Sequence, residues 1–133
     1  MNYIVHRRFK DKAICGDVNI PAMTDVEEVD GVILYDGKPI CFNTSENAHQ
    51  YFARNDDGDG MLRGNLTQTI QKALSKRDKN YQERWDKVWD DELCQQYKRV
   101  EYADFWLFNH LFFNAPIEDL RYIAQLVGAK EGA

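Results

Sequence analysis

Val26–Phe42 reads VEEVDGVILYDGKPICF. Two Asp-Gly pairs, Asp30-Gly31 and Asp36-Gly37, separate three short apolar runs: Val26–Val29, Val32–Tyr35 and Pro39–Phe42. A tight two-residue hairpin loop needs positive φ at both central positions, and Asp-Gly supplies it at little steric cost. The stretch therefore predicts three antiparallel strands joined by consecutive hairpins. Upstream, Tyr3–Phe9 is rich in β-formers. A turn is expected at Lys10–Lys12, with Ala13–Cys15 pairing back across it. Pro21 lies in a connection, Asn19–Thr24, where its missing N–H is harmless. The first 43 residues or so thus read as a small antiparallel meander that curls toward a barrel.

Past Asn43 the pattern becomes helical. Thr44–Phe52, TSENAHQYF, offers Thr44 or Ser45 as an N-cap. Leu66, Ile70, Ala73 and Leu74 recur at helical spacing, as do Tyr81, Trp85, Val88 and Trp89. Leu93 and Tyr97 extend the second stripe across a break at Asp90–Glu92. In the last segment Pro116 suits a first turn, Glu118 and Asp119 face the positive end of the helix dipole, and Gly128 suits the C′ position. Strands first and helices after is the α+β arrangement. The expectation is one domain, 1–133: residues 1–43 mainly β, packed on four to five helices over 44–128, with a loose tail at 129–133.

Composition narrows the function classes. Of the 133 residues, 44% are hydrophobic and 13% aromatic, enough for a packed core rather than a disordered chain. No apolar run reaches the ~20 residues that span a bilayer, and the N-terminus lacks the apolar stretch of a secretory signal. Cys15, Cys41 and Cys94 are odd in number, which fits reduced thiols in a cytoplasm. The net charge of −5 disfavours nucleic acid as the main partner.

Ala53–Leu66, ARNDDGDGMLRGNL, invites a calcium reading. In the best EF-hand register Asn55, Asp57 and Asp59 take positions 1, 3 and 5, with Gly60 at 6. Arg63 then brings a cation to position 9, and Leu66 has no oxygen for position 12. A turn between two helices is the preferred reading.

Catalytic patterns are sparse. Ser45 and Ser75 sit in no nucleophile elbow, and His6, His49 and His110 are far apart in sequence. Glu46 and His49 form one Glu-x-x-His, the i, i+3 spacing that di-iron bundles use twice. It is carried as a minor metal-enzyme alternative. A zinc site adding Cys41 and Cys15 is weaker, because no Cys-x-x-Cys anchors it. No cofactor is expected. On the first strand, Tyr3, Arg7, Arg8, Phe9, Lys10 and Lys12 mix aromatics with cations, as single-strand-binding barrels do. The competing reading is an exposed strand whose charges discourage edge pairing. Tyr102–Phe113, YADFWLFNHLFF, is apolar nearly all round a helix, which calls for burial at the domain centre or at a homodimer interface.

Two stretches, Asn19–Gly60 (NIPAMTDVEEVDGVILYDGKPICFNTSENAHQYFARNDDGDG) and Asn114–Gly132 (NAPIEDLRYIAQLVGAKEG), resemble small uncharacterised proteins of phages and prophages of Gram-positive bacteria. The resemblance runs over most of the chain. It implies a cytoplasmic setting in a bacterial host and an accessory role in infection or lysogeny. No activity or catalytic residue attaches to that group, so none is carried over. The expected function is non-catalytic binding to a protein partner.

Overall fold

The computed structural model describes residues 1–45, 48–97 and 111–128. The architecture is α+β, antiparallel strands followed by helices. The chain divides into two compact units, Met1–Gly64 and Asn65–Ala133.

The first unit holds seven strands: β1 Asn2–Val5, β2 Phe9–Ala13, β3 Gly16–Ile20, β4 Asp25–Val29, β5 Val32–Tyr35, β6 Lys38–Phe42 and β7 Phe52–Arg54. Five form one antiparallel sheet in the order β6-β5-β4-β1-β7, and β2 and β3 form a separate hairpin. Both Asp-Gly turns behave as their chemistry requires. Asp30 and Gly31 have φ of 52° and 85°, Asp36 and Gly37 53° and 75°. Positive φ at both central residues matches the right-handed strand twist and keeps β4, β5 and β6 in register.

Two local expectations fail. Lys10–Lys12 is strand rather than turn. The hairpin reverses at Ile14–Cys15, ahead of Gly16 with φ 115°. Alternation explains this: Phe9, Ala13 and Ile20 point inward and are buried, while Lys10 and Lys12 point to water. The helix expected over Thr44–Phe52 is only a single turn, α1, Ala48–Tyr51, and Phe52–Arg54 pairs with β1. The free edge of β1 offers backbone partners that a longer helix would leave unmatched. The same pairing places Phe52 in the core.

Side chains alternate across the large sheet. Tyr3, Val5, Val26, Ile33 and Phe52 face inward, where Phe9 of the hairpin meets Phe52 at 5.3 Å between ring centroids and Tyr51 at 5.1 Å. A bulge between Ile33 and Leu34 leaves Ile40 as the extra residue of β6 and turns it into the core. Its carbonyl accepts the Ile14 N–H at 3.0 Å, which hangs the hairpin tip on the sheet edge at β6.

The opposite face of the sheet carries Asn2, Ile4 and His6 on the β1 side. It is approached by the start of helix α2, Gly60–Ser75, which begins at the end of this unit. Only glycine allows the approach. A Cβ on Gly60 would lie 2.5 Å from Ile4 Cγ2, and one on Gly64 would lie 2.2 Å from His6 Cγ. Asn55 Oδ1 accepts the Gly60 N–H at 2.7 Å and so closes the helix start.

The second unit contains the rest of α2, then α3 Tyr81–Asp90, α4 Glu92–Tyr97 and α5 Ile117–Leu126; residues 111–114 are also helical. Leu66, Ile70 and Leu74 form the buried stripe of α2. Trp85 Nε1 donates to the Leu74 carbonyl at 3.0 Å, and Arg84 pairs with Asp78 at 2.9 Å, fixing the turn into α3. The expected break falls at Asp91. Its Oδ1 accepts the N–H groups of Leu93 and Cys94 at 2.9 and 3.1 Å and starts α4. On α5, Leu120, Ile123 and Val127 are buried, and Gly128 takes φ 73° at the end of the helix. Of the Tyr102–Phe113 segment, Leu111, Phe112 and Phe113 are buried; residues 102–110 lie outside the described residues, as does the tail at 129–133.

Candidate interaction surface

The face of the sheet that Gly60 of α2 touches at Ile4 carries exposed and half-buried side chains over β4, β5 and β6. Strand register puts two rows of side chains there. In the first, Val29 lies opposite Val32, and Val32 opposite Phe42. In the second, Asn2 lies opposite Glu27, Glu27 opposite Leu34, and Leu34 opposite Pro39. Directly opposed residues share a face, so Val29, Val32, Leu34, Pro39 and Phe42 form one apolar patch. Val29 is 47% and Phe42 52% exposed. The inner-facing members of the same strands, Val26 and Ile33, are 6% and 0% exposed. Single exposed apolar side chains are ordinary; a contiguous cross-strand group is the kind of feature that marks an interface. Carboxylates border the patch: Asp25 and Glu27 project from β4 on the same face, and exposed Asp30 lies in the turn beside Val29.

The six residues considered for single-strand binding do not share a surface. Tyr3 and Phe9 are core residues, 2% and 7% exposed. Burial pushes the Tyr3 hydroxyl up, against the hydrogen bond it makes with Asn43. Their rings are therefore not available for stacking bases. The expected continuous strand is interrupted after Val5, and this breaks the alternation that would have grouped Arg7 with them. Arg7 instead sits over the Tyr51 ring, 5.3 Å from its centroid. Arg8, Lys10 and Lys12 do lie together on the open face of the β2–β3 hairpin, with Arg8 donating to Asn19 Oδ1 at 2.7 Å. A shallow depression there is lined by Lys10, Asp11, Lys12, Asp17, Val18 and Asn19, a mixed rather than a basic wall.

His49 is buried, and its carbonyl accepts the His6 Nε2–H at 2.9 Å. Desolvation lowers the His6 pKa to about 4, which leaves that ring neutral. Glu46 lies outside the described residues. Among the described residues no three His, Cys, Asp or Glu side chains gather as a metal-binding group. Cys15 is exposed, whereas burial pushes the Cys41 and Cys94 thiols up to about 12; all three are free.

The Asn55–Gly60 loop joins β7 to α2 rather than two helices. Its would-be ligands have other work. Asn55 caps α2, and Asp56 is bonded by Arg54 at 2.7 Å. Arg63 is buried near Asp59: desolvation lowers its pKa, and the Asp59 carboxylate opposes that shift. A resident cation beside these carboxylates repels a second one.

Among the described residues no helix is long and apolar enough to cross a membrane. The chain matches no family model, and comparison with curated proteins and with solved structures finds no match.

In the sequence Val29, Val32 and Phe42 read only as residues of short strands. What the sequence lacked was the side of the sheet on which they fall.

Proposed function

We propose that this protein is a non-catalytic binding module that engages a protein partner through the open face of β4–β6. One observation carries the reading: Val29 and Phe42 are exposed, with Val32 and Leu34 half-buried between them, whereas Ile4 on the same face is buried against Gly60 of α2. Water contact with this group costs free energy that a docked partner recovers, on the order of 25 cal/mol per Å² buried. The resemblance to phage and prophage proteins supports an accessory role in a bacterial host cell.

The test is comparative capture. The wild-type chain and a Val29→Ser/Phe42→Ser variant are used as baits in a Gram-positive lysogen, with a Glu83→Gln variant as control. The reading expects a partner retained by wild type and control and lost by the face variant. A partner set indifferent to the face variant refutes it.

A further inference from the structure

We infer that the open β4–β6 face takes a cationic amphipathic helix contributed by the partner; this inference rests on the docking reading above. Three features define the occupant.

Size is the first. Three strands at ~4.8 Å spacing and four to five residues at ~3.3 Å make a platform of roughly 14 by 15 Å. That is far below the area of a domain-sized interface and close to the ~10 Å width of one helix. The N-terminal turn of α2 already lies over the neighbouring part of the same face, at Ile4. A helix is therefore a shape this sheet face accepts.

Edge chemistry is the second. An added strand would need the free edge of β6. Pro39 removes one donor there, and the Ile40 carbonyl is taken by Ile14. A strand is thus disfavoured, and the face rather than the edge is what a partner can use.

Charge is the third. Asp25 and Glu27 project from the face itself and Asp30 stands at its end. Two copies of this face pressed together would set these carboxylates against one another, which argues against a symmetric homodimer here. The basic hairpin of a second copy carries Lys10 and Lys12 but offers no apolar row opposite Val29, Val32 and Phe42. A helix with a Leu-like apolar stripe flanked by Lys or Arg satisfies both demands.

The probe is a synthetic 18-residue helix of Leu and Lys, with Leu/Gln and Leu/Glu counterparts of the same pattern. Binding to the full chain is followed by backbone amide NMR shifts. The Leu/Lys helix is expected to move the resonances of Val29, Val32, Leu34 and Phe42. Val29→Ser/Phe42→Ser and Asp25→Lys/Glu27→Lys should each weaken it by about tenfold or more, while Glu83→Lys/Asp90→Lys, with the same change of net charge, leaves it within about twofold. Equal weakening by the control pair would reduce the effect to overall charge and overturn the proposal. Equal binding of the Leu/Gln or Leu/Glu helix at the face would overturn the cationic class and leave the docking surface standing. If none of the three helices moves these resonances, the docking surface itself falls.

Discussion

Replacing Gly64 with alanine gives opposite predictions depending on whether the close approach of α2 to β1 is real. In an open helix interior, Gly→Ala stabilises by about 1 kcal/mol. Here the new methyl would lie 2.2 Å from His6 Cγ, 2.4 Å from its Cβ and 2.7 Å from its Cδ2. The whole ring must move, because the clash is at its root rather than its tip. Overpacking of this kind costs about 1–3 kcal/mol. Displacement also breaks the His6 Nε2–H bond to the His49 carbonyl, and leaving such groups unmatched costs a further 1–3 kcal/mol or so. Set against the helix gain, the net expectation is a loss of about 3 kcal/mol, a fall in Tm on the order of 10 °C. Urea and thermal unfolding followed by circular dichroism measure it. The companion experiment is Gly64→Ala in a His6→Ala background, where the methyl occupies space the ring has vacated. The substitution should there become neutral or mildly stabilising, a coupling of about 2 kcal/mol or more. A single Gly64→Ala variant as stable as wild type would refute the packing of α2 on β1.

His6 predicts a pH dependence. Its folded pKa, lowered by burial to about 4, lies below the ordinary value of 6.5. The unfolded chain therefore binds the proton first. The contribution is fully present above pH 6.5 and is lost as pH falls toward about 4, by up to about 3 kcal/mol. Unfolding free energies of wild type and His6→Phe across that window should converge at the acid end, and parallel curves would contradict it. In the second unit, Asp91→Ala removes both the cap of α4 and the acceptor that Tyr122 Oη–H reaches at 2.5 Å. It should cost about 1–2 kcal/mol, and Asp91→Asn less, since an amide oxygen still caps. A thiol reagent at pH 8 should modify exposed Cys15 rapidly in the folded protein, half-buried Cys41 with its raised thiol pKa more slowly, and buried Cys94 only on unfolding. Three equal fast phases would show that the burial is wrong.

The α+β class, the β4–β5–β6 meander and the breaks around α3, α4 and α5 were legible because each rests on local chemistry. Asp30-Gly31 and Asp36-Gly37 adopt positive φ whatever surrounds them, Asp91 caps its own neighbours, and Gly128 ends its own helix. What failed locally was decided at a distance. Phe52–Arg54 became a strand because β1 had an edge to satisfy, and Lys10–Lys12 became strand because Phe9, Ala13 and Ile20 had a core to enter. The candidate site follows the same division. Tyr3 and Phe9 looked like a stacking platform in sequence, yet both rings lie buried in the inner core. Val29, Val32, Leu34 and Phe42 looked like ordinary core strand residues, yet Val29 and Phe42 are exposed and Val32 and Leu34 half-buried. Alternation says that two faces exist. Which face is covered is set by what else packs there, and that is a property of the tertiary structure alone.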